Sequence, residues 1–526
     1  IKFKKISAGS NHSVAIDVEG NLYSWGYNTY GQLGLGLGRV GSIDMKPQKL
    51  NVTKTVTEIT TGADGEDVVT SREVPVKFTK IAAGPDFAMA IDVDGNLYTW
   101  GRNNNGQIGN GTDTSDFIDE KNPSEVSNKE TLVPSPQMVA YFTDYNVVMQ
   151  DISAGGSVGN SYAMALSSNG DVFAWGSNKF KQVENSDNEI VSTPVYVPVS
   201  RMTSIAAGKG DEFTTSYGVQ ELGKVLAWGS NENSEMGEGV IDSVTGQAIV
   251  SGGGLENIRV LEVAAGNGNA AALTENTTNN SYEYYVWGNN DNGQLGVDGK
   301  IVAYPTLVEA LKDNPATPNA DETILVSAVE LSESHTIIID ALTKRAYTWG
   351  KNDHNQLGYQ QSILNNGKPM TSPSTENYAK EAHLVTRDKG DLNFLEVASG
   401  KNHSVGIVIP ASEAETATQG TVYAWGDNTY GQLGQNTSGS SSAVLQAVKK
   451  SNGESITNAV AVAAADNYSL ALTADGIVYA WGDNTYGVMG NGTKGGIQKS
   501  AVAVAGVTGD GTLEGIYAIA ASPKTA

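Results

Sequence analysis

The five histidines are the residues best suited to acid–base chemistry or metal binding near neutral pH. His12, His335 and His403 occupy the same position of a repeated segment. Four other copies hold an aromatic residue there and one holds an amide: Phe87, Tyr162, Phe213, Tyr468 and Asn269. This replacement favours a packed side chain with a hydrogen-bonding tip over a catalytic or metal-binding histidine. His354 and His383 have no candidate partners at the spacing of metal ligands.

Three other stretches resemble a calcium loop, a nucleophile motif and a phosphate loop, but each lacks a residue that the motif requires. Asp92–Asn96 (DVDGN) alternates oxygen ligands like a calcium loop, but it lacks the closing Glu and coincides with a repeated hairpin turn. Gly155–Gly159 (GGSVG) offers no histidine partner for its serine. Ser251–Leu255 (SGGGL) lacks the Lys-Ser/Thr of a phosphate loop. We therefore predict no catalytic residue, no cofactor, no metal site and no enzymatic activity, and leave weak calcium binding open.

The composition narrows the classes of partner. The net charge of −24 and the pI near 4.6 disfavour nucleic acid and anionic membrane surfaces. The absence of cysteine excludes disulfides and thiolate metal sites. No run of about 18 apolar residues predicts a membrane span. The chain opens on Ile1 without a signal-peptide pattern, so we expect a processed chain or a piece of a longer protein.

A ten-residue phrase, first seen as WGYNTYGQLG, organises the whole chain. Eight copies end near residues 34, 109, 184, 237, 296, 358, 434 and 490. Each begins with one of the eight tryptophans of the chain: Trp25, Trp100, Trp175, Trp228, Trp287, Trp349, Trp425 and Trp481. Glycine follows each tryptophan, and three positions after it stands Asn28, Asn103, Asn178, Asn231, Asn290, Asn352, Asn428 or Asn484. We predict structural roles for all sixteen residues.

Two apolar strands precede each phrase, separated by an acidic or amide residue and glycine, as in Glu19-Gly20. This pattern predicts a hairpin with a type I′ turn. Successive tryptophans lie 53 to 76 residues apart, and a period of that length with about four short strands is typical of propeller blades. The large indole is suited to the gap between neighbouring blades. The asparagine is suited to bonding the backbone of the turn that follows.

The combined pattern AxGxxHS, an alternating hairpin and WGxNxxGQLG resembles the repeat of the regulator of chromosome condensation family. The resemblance covers essentially the whole chain and implies an all-β, β-propeller fold. We predict one propeller over residues 1–526 with about eight four-stranded blades, and seven as the alternative because seven are usual in the family. Residues 516–526 begin like Phe3–Gly9, which predicts either the start of a further repeat or a ring-closing strand.

Three polar insertions follow phrases at about residues 35–77, 110–148 and 359–394. Insertions in repeat arrays tend to emerge on one face, and long loops are commonly functional or disordered. We predict that they form a recognition surface, with passive decoration as the alternative.

The pattern therefore favours a non-catalytic binding scaffold that recognises an unknown protein or surface ligand. The family resemblance implies an alternative, a regulator of another protein such as a guanine-nucleotide exchange factor or an enzyme inhibitor. The acidic, cysteine-free, Asn- and Thr-rich composition favours a bacterial extracellular or cell-surface protein. Self-assembly or tethering within a larger surface protein stays open at this point.

Overall fold

The computed structural model is almost entirely β-structure. It describes residues 3–521 except 62–66, 113–131, 185, 200, 211–213, 240–247, 251–252, 256–257, 267, 277–280, 309–325, 333, 342, 359–377, 388–389, 486, 506–510, 515, 517–518 and 520. In these described ranges, no helix is long and apolar enough to cross a bilayer.

The first half of the chain forms four antiparallel sheets of four strands. Sheet 1 contains β1 (Phe3–Ala8), β2 (His12–Asp17), β3 (Leu22–Tyr27) and β4 (Ile43–Lys49). After a hairpin of β5 (Thr53–Thr61) and β6 (Asp67–Pro75), sheet 2 contains β7 (Phe78–Ala83), β8 (Phe87–Asp92), β9 (Leu97–Arg102) and β10 (Leu132–Met138). After helix α1 (Ala140–Asp144), sheet 3 contains β11 (Met149–Gly155), β12 (Tyr162–Ser167), β13 (Val172–Ser177) and β14 (Ile190–Val197). Sheet 4 contains β15 (Met202–Ala207), β16 (Thr215–Gln220), β17 (Val225–Gly229) and β18 (Ala248–Ile249).

The second half repeats this arrangement. Sheet 5 contains β19 (Arg259–Ala265), β20 (Asn269–Asn276), β21 (Ser281–Asn289) and β22 (Ile301–Leu307). Sheet 6 contains β23 (Val326–Leu331), β24 (His335–Asp340), β25 (Ala346–Lys351) and β26 (Tyr378–Leu384), and a short pair follows, β27 (Thr386–Arg387) and β28 (Gly390–Asp391). Sheet 7 contains β29 (Asn393–Ser399), β30 (His403–Ile409), β31 (Thr421–Gly426) and β32 (Ser442–Ala447). Sheet 8 contains β33 (Ala459–Ala464), β34 (Tyr468–Thr473), β35 (Val478–Asp483) and β36 (Ile497–Ala503).

The sheets pack face to face in chain order. The second strands β2 and β8 are buried at every residue, because a neighbouring sheet covers each of their faces. Apolar clusters join each sheet to the next, and one cluster joins sheet 8 to sheet 1 through Tyr468, Leu470, Phe3 and Tyr23. The first strands of successive sheets contact one another from β1 to β19 and from β23 to β33, and they form the inner layer. The predicted all-β propeller is confirmed, and we keep eight blades as the predicted number.

The predicted type I′ geometry of the hairpin turns is wrong in sheet 1. The amide of Gly20 donates to the carbonyl of Asp17 at 3.0 Å, so Val18 and Glu19 are the central residues of the turn. A type I′ turn needs positive φ at both central residues, but only Gly20 has it, at 84°. The Asp17 carboxylate fixes the turn instead, because it accepts the amides of Glu19 and Asn21 at 2.9 and 2.8 Å.

Candidate interaction surfaces

Each tryptophan from the second copy onward joins its sheet to the preceding one. The indole Nε1 donates to the backbone carbonyl of the Gln, or the Glu that replaces it, in the preceding phrase, at 2.6 to 2.9 Å. The pairs are Trp100–Gln32, Trp175–Gln107, Trp228–Gln182, Trp287–Glu235, Trp349–Gln294, Trp425–Gln356 and Trp481–Gln432. These seven indoles are buried, whereas Trp25 is only partly buried between sheets 8 and 1. The arrangement is structural, because the indole donor is fully used inside the ring.

All eight asparagines of the phrase close the loop that follows the tryptophan. Each side-chain Oδ1 accepts the amide five residues later, at 2.8 to 3.2 Å. The pairs are Asn28–Leu33, Asn103–Ile108, Asn178–Val183, Asn231–Met236, Asn290–Leu295, Asn352–Leu357, Asn428–Leu433 and Asn484–Met489. The loop backbone is therefore satisfied from within, which fits a structural role for the asparagine.

The repeated histidines also connect neighbouring sheets. His335 Nε2 lies 2.8 Å from the Ser404 hydroxyl, and His403 Nε2 lies 2.7 Å from the Ser469 hydroxyl. Burial lowers the pKa of His335 to about 3 and that of His403 to about 4. Burial likewise lowers the pKa of His12 to about 3. Neutral, fully buried imidazoles of this kind hold sheets together and do not exchange protons with a substrate near pH 7.

The residues that replace histidine at this repeat position, and the two histidines outside it, do not form a common site within the described ranges. Tyr162 takes the role of the histidine, because its hydroxyl lies 3.0 Å from the Ser216 hydroxyl. Phe213 and the side chain of His383 lie outside the described residues. His354 is exposed, with its Nδ1 2.7 Å from Asp353. In the described part of the chain, no group of three or more His, Asp or Glu residues is placed to hold a metal ion.

Several titratable residues lie on the first strands of the sheets, but those that the structure describes do not form one cluster. Lys80 on β7 pairs with Asp151 on β11 at 2.8 Å, and Lys5 on β1 stands beside them. Burial and the neighbouring Lys80 lower the pKa of Lys5. Glu396 belongs to β29, four sheets away from β11, and burial raises its pKa to about 7. Glu396 therefore lies too far from the Lys80–Asp151 pair to act with it as a paired acid and base.

One buried ion pair lies between sheets 2 and 3, at the end of the ring that carries the phrases. Asp86 accepts the Ser161 hydroxyl at 2.6 Å and the Gly159 amide at 3.0 Å, and Arg102 lies 3.4 Å away. Burial raises the pKa of Asp86 despite these donors. The Arg102 guanidinium also covers the ring of Tyr30 at 4.3 Å. This network ties three sheets together and uses both charges internally.

The ring has two ends. We call the end with the phrases the phrase end, and the end with the β2–β3 type hairpin turns the turn end. The β5–β6 hairpin, α1 and the β27–β28 pair each connect a fourth strand to the next sheet, at the turn end. Two other parts of the predicted insertions, residues 113–131 and 359–377, lie outside the described residues. The expectation of a single recognition face therefore stays a prediction.

An apolar patch covers the turn end of sheets 2 to 4. We define the turn-end patch as Val93, Tyr145, Val148 and Leu222, whose exposed fractions are 59, 70, 47 and 79%. Val93 and Leu222 stand in the hairpin turns of sheets 2 and 4, whereas Tyr145 and Val148 follow α1. Isolated exposed apolar residues are ordinary, but a group on one surface indicates an interaction site.

Backbone hydrogen bonds and close packing link the turns that carry these residues. The Val148 side chain lies against Gly95 of the sheet 2 turn, and the Val148 carbonyl accepts the amide of Ser168 in the sheet 3 turn at 2.9 Å. One sheet further on, the Arg201 carbonyl accepts the amide of Glu221, the neighbour of Leu222, at 2.8 Å. Each connection thus bridges two turns, and the apolar side chains stand on a rigid base.

Helix α1 presents the aromatic part of the patch. Phe142 is buried, and its ring centre lies 5.8 Å from that of the Trp175 indole. This contact anchors the helix on the propeller. Tyr141 packs against Phe173 at 5.9 Å and against Tyr145 at 4.9 Å. The sequence prediction named the insertion 110–148 but not these side chains. The cluster YFTDY within a polar insertion was the available signal.

Comparison with known proteins identifies the repeat. Two family models described as regulator of chromosome condensation (RCC1) repeat match the chain. One matches residues 3–32, 78–107, 151–182 and 459–488, and the other matches residues 19–65, 94–158, 169–210, 283–339, 345–407 and 419–472.

The similar proteins share the repeat at low identity. Part of the E3 ubiquitin-protein ligase HERC2 of Mus musculus is 28% identical over 293 residues, which cover 55% of this chain and 5% of that protein. The secretion-regulating guanine nucleotide exchange factor of Bos taurus is 23% identical over 440 residues, 81% of this chain and 78% of that protein. The crystal structure of Prp20p from Saccharomyces cerevisiae has a TM-score of 0.50 and 20% identity, covering 87% of this chain and 92% of that chain.

The chain thus spans a small fraction of HERC2 and most of the two other proteins. The likeness to Prp20p shows the fold alone. Since one of the repeat models covers more than half of the residues, the chain belongs to the regulator of chromosome condensation repeat family and has the β-propeller fold of that family.

Proposed function

We propose that this chain is a non-catalytic binding scaffold that regulates a partner protein through the turn-end patch. The observation that carries the proposal is the exposure of Val93, Tyr145, Val148 and Leu222 at one end of the ring. Relatives with the same repeat are named as exchange factors, and the yeast structure reports binding of Prp20p to Gsp1p and histones. Protein binding is therefore the activity that the family and the surface support together.

Tyr145 has the features of an interface anchor. It is 70% exposed, yet its ring rests on Tyr141 and so loses little conformational freedom when a partner covers it. Tyrosine is enriched among the residues that dominate binding energy, especially at the centre of an apolar patch. We expect Tyr145 to fill a pocket of the partner and Leu222 to cover the edge of the contact.

The charge of the chain favours a basic partner. A net charge of −24 attracts cationic surfaces and speeds their association, and salt screens this attraction. We expect the rim of the partner around its apolar pocket to carry Lys and Arg, and the association rate to fall as salt rises.

The test uses the whole chain as bait in an extract of the source cells and their medium. A variant with Tyr145→Ala and Leu222→Ala should lose the captured protein, because both substitutions remove exposed apolar contact without disturbing the core. The matched control is Val158→Ala, which changes an exposed apolar residue at the phrase end. Loss of the same protein in the control, or its retention by the double variant, would move the binding surface away from the turn end.

A GTPase regulator is the second candidate, and the names of the relatives favour it. It predicts that the captured partner is a guanine-nucleotide-binding protein whose nucleotide release accelerates in the presence of this chain. If the rate of nucleotide release does not change at a saturating concentration of this chain, the chain has no exchange activity on that partner.

We also propose an extracellular or cell-surface location in a bacterium, which the cysteine-free acidic composition supports. Fractionation of the source cells with an antibody against the ring tests it. Recovery of the chain in the envelope or the medium is the expected result, and recovery in the cytoplasm alone would end this part of the proposal.

A further inference from the structure

The junction between sheet 8 and sheet 1 differs from the other junctions of the ring. We call it the seam. Trp25, the one phrase tryptophan that is only partly buried, lies at the seam together with Phe3, Ile6 and Met489. An apolar cavity of about 40 Å³ opens there, and it is partly open to solvent. The seam is therefore less completely filled than the joints at which an indole is fully covered.

Ile516, which follows sheet 8, occupies a position at this seam that repeats around the ring. Where one sheet passes to the next, the first residue of the new inner strand donates its amide to the carbonyl of the preceding turn glycine. Phe78 does so to Gly20 at 2.8 Å, and Met149 does so to Gly95 at 2.9 Å. Ile516, which follows sheet 8, donates to Gly476 in the same way at 3.1 Å. Ile516 thus stands where the first residue of a ninth inner strand belongs.

The sequence after Ile516 repeats that of β1. Residues 516–522 read IYAIAAS and residues 3–9 read FKKISAG, so that Ile516, Ile519 and Ala521 correspond to Phe3, Ile6 and Ala8. Phe3 and Ile516 belong to the same apolar cluster, and Ile6 and Ile519 line the same cavity. The segment that begins at Ile516 and β1 therefore meet at the seam, where a closed ring has room for one inner strand.

The charges of β1 make it the weaker occupant. Lys5 lies beside Lys80 of β7, and this repulsion together with burial disfavours the charged form of the Lys5 ammonium. In the alignment of the two sequences, the uncharged Ala518 corresponds to Lys5. An alanine there removes a repulsion without removing the apolar residues that face the cluster.

We propose that the seam is a strand-exchange site, at which the segment from Ile516 to Ala521 replaces β1 on the edge of β2. In the exchanged state this segment pairs with β2 in the register that β1 uses, in which Ala8 pairs with Ser13 and Ile6 pairs with Ala15. The occupant of the seam is then the chain itself, and β1 with Lys4 and Lys5 is released to solvent. This proposal stands apart from the partner surface at the turn end.

A competition between disulfides tests the exchange, and the absence of native cysteine keeps the result unambiguous. In a variant with Ala8→Cys, Ser13→Cys and Ala521→Cys, the thiol at position 13 chooses between the two strands in a glutathione redox buffer. We expect peptide mapping to find both disulfides, and Phe3→Ala to shift their ratio at least threefold toward the bond with position 521. A bond exclusively with position 8, with or without Phe3→Ala, would overturn the proposal.

The matched control moves the choice to sheet 2, where Ala83 pairs with Ala88 in the same way. In the variant with Ala83→Cys, Ala88→Cys and Ala521→Cys, position 88 should bond only to position 83. A comparable yield of the bond between positions 88 and 521 would show non-specific collision and defeat the proposal.

Hydrogen exchange of the unmodified chain is a second test of the strand exchange, and it does not depend on whether a variant folds. We expect the β1 amides that pair with β2 to exchange at least tenfold faster than the matching amides of β7. Equal exchange rates in β1 and β7 would overturn the proposal, because a strand that is never displaced is protected like its equivalents.

Discussion

The indole Nε1 of Trp425 donates to the backbone carbonyl of Gln356 at 2.9 Å, across the junction between sheets 7 and 6. The two residues lie in consecutive copies of the phrase, and six other pairs repeat the bond. The phrase is therefore a connector: its tryptophan reaches back to the previous sheet and its glutamine carbonyl receives the next tryptophan.

Replacing Trp425 by Ala should lower the free energy of unfolding by about 3–5 kcal/mol, because a fully buried indole leaves a cavity and an unpaired carbonyl. Denaturant melts measure the loss. The control is Trp25→Ala at the seam, where the indole is only partly buried, and its loss should be clearly smaller. A loss under about 1 kcal/mol for Trp425→Ala, the size of a surface change, would contradict the connector role.

Replacing Asn428 by Ala should cost about 1–3 kcal/mol, because the buried Leu433 amide then loses its acceptor. Asn452, which bonds Glu454 in an exposed turn, provides the control, and Asn452→Ala should cost about 0.5 kcal/mol or less. Equal losses in chemical denaturation would show that the phrase asparagine is not needed to close its loop.

The buried histidines should make the ring sensitive to acid. The pKa of His403 is about 4 in the folded chain and 6.5 as the ordinary value, so the unfolded chain binds more protons between these two pH values. Stability should therefore fall as pH decreases from about 6.5 toward 4. His403→Tyr, which copies the Tyr162–Ser216 pair, removes this proton uptake. Thermal melts from pH 7 to 4 should show a smaller decrease for the variant, and parallel decreases would refute the assignment.

Glu396 should have the opposite dependence. Burial raises its pKa from 4.5 to about 7, so the folded chain binds more protons than the unfolded chain between these values. The Glu396 contribution to stability is present below pH 4.5 and is lost as pH rises toward 7. Glu396→Gln should be the more stable chain at pH 8, with the advantage shrinking toward pH 5. An advantage that does not change with pH would show that Glu396 is fully solvated.

The elements that recur eight times could be predicted from the sequence, because repetition shows which residues the fold requires. The indole has the same partner in seven copies, as at Trp100, and the asparagine side chain has the same partner in all eight, as at Asn103. The all-β propeller and its family follow from them. The carboxylate cap of Asp17 was missed, because the Gly20 signal alone does not distinguish turn types.

Features that occur only once in the chain could not be predicted from the repeat pattern. Helix α1 interrupts the strand pattern for five residues, and its Phe142 packs against Trp175 of sheet 3. Only the folded chain shows that Tyr145, just after this helix, is exposed. Val93 and Leu222 are 129 positions apart in the sequence and share one end of the ring only because the sheets are arranged around an axis. The turn-end patch is therefore a property of the ring and not of a segment.

The most direct measurement is the affinity of the captured partner for the chain and for its Tyr145→Ala, Leu222→Ala variant, by calorimetric titration at two salt concentrations. We predict that the double variant binds at least a hundredfold more weakly, about 2.8 kcal/mol, while Val158→Ala binds like the parent chain. Higher salt should weaken the parent and the control alike. Unchanged affinity in the double variant, with its ring intact by thermal melting, would contradict a binding surface at the turn end.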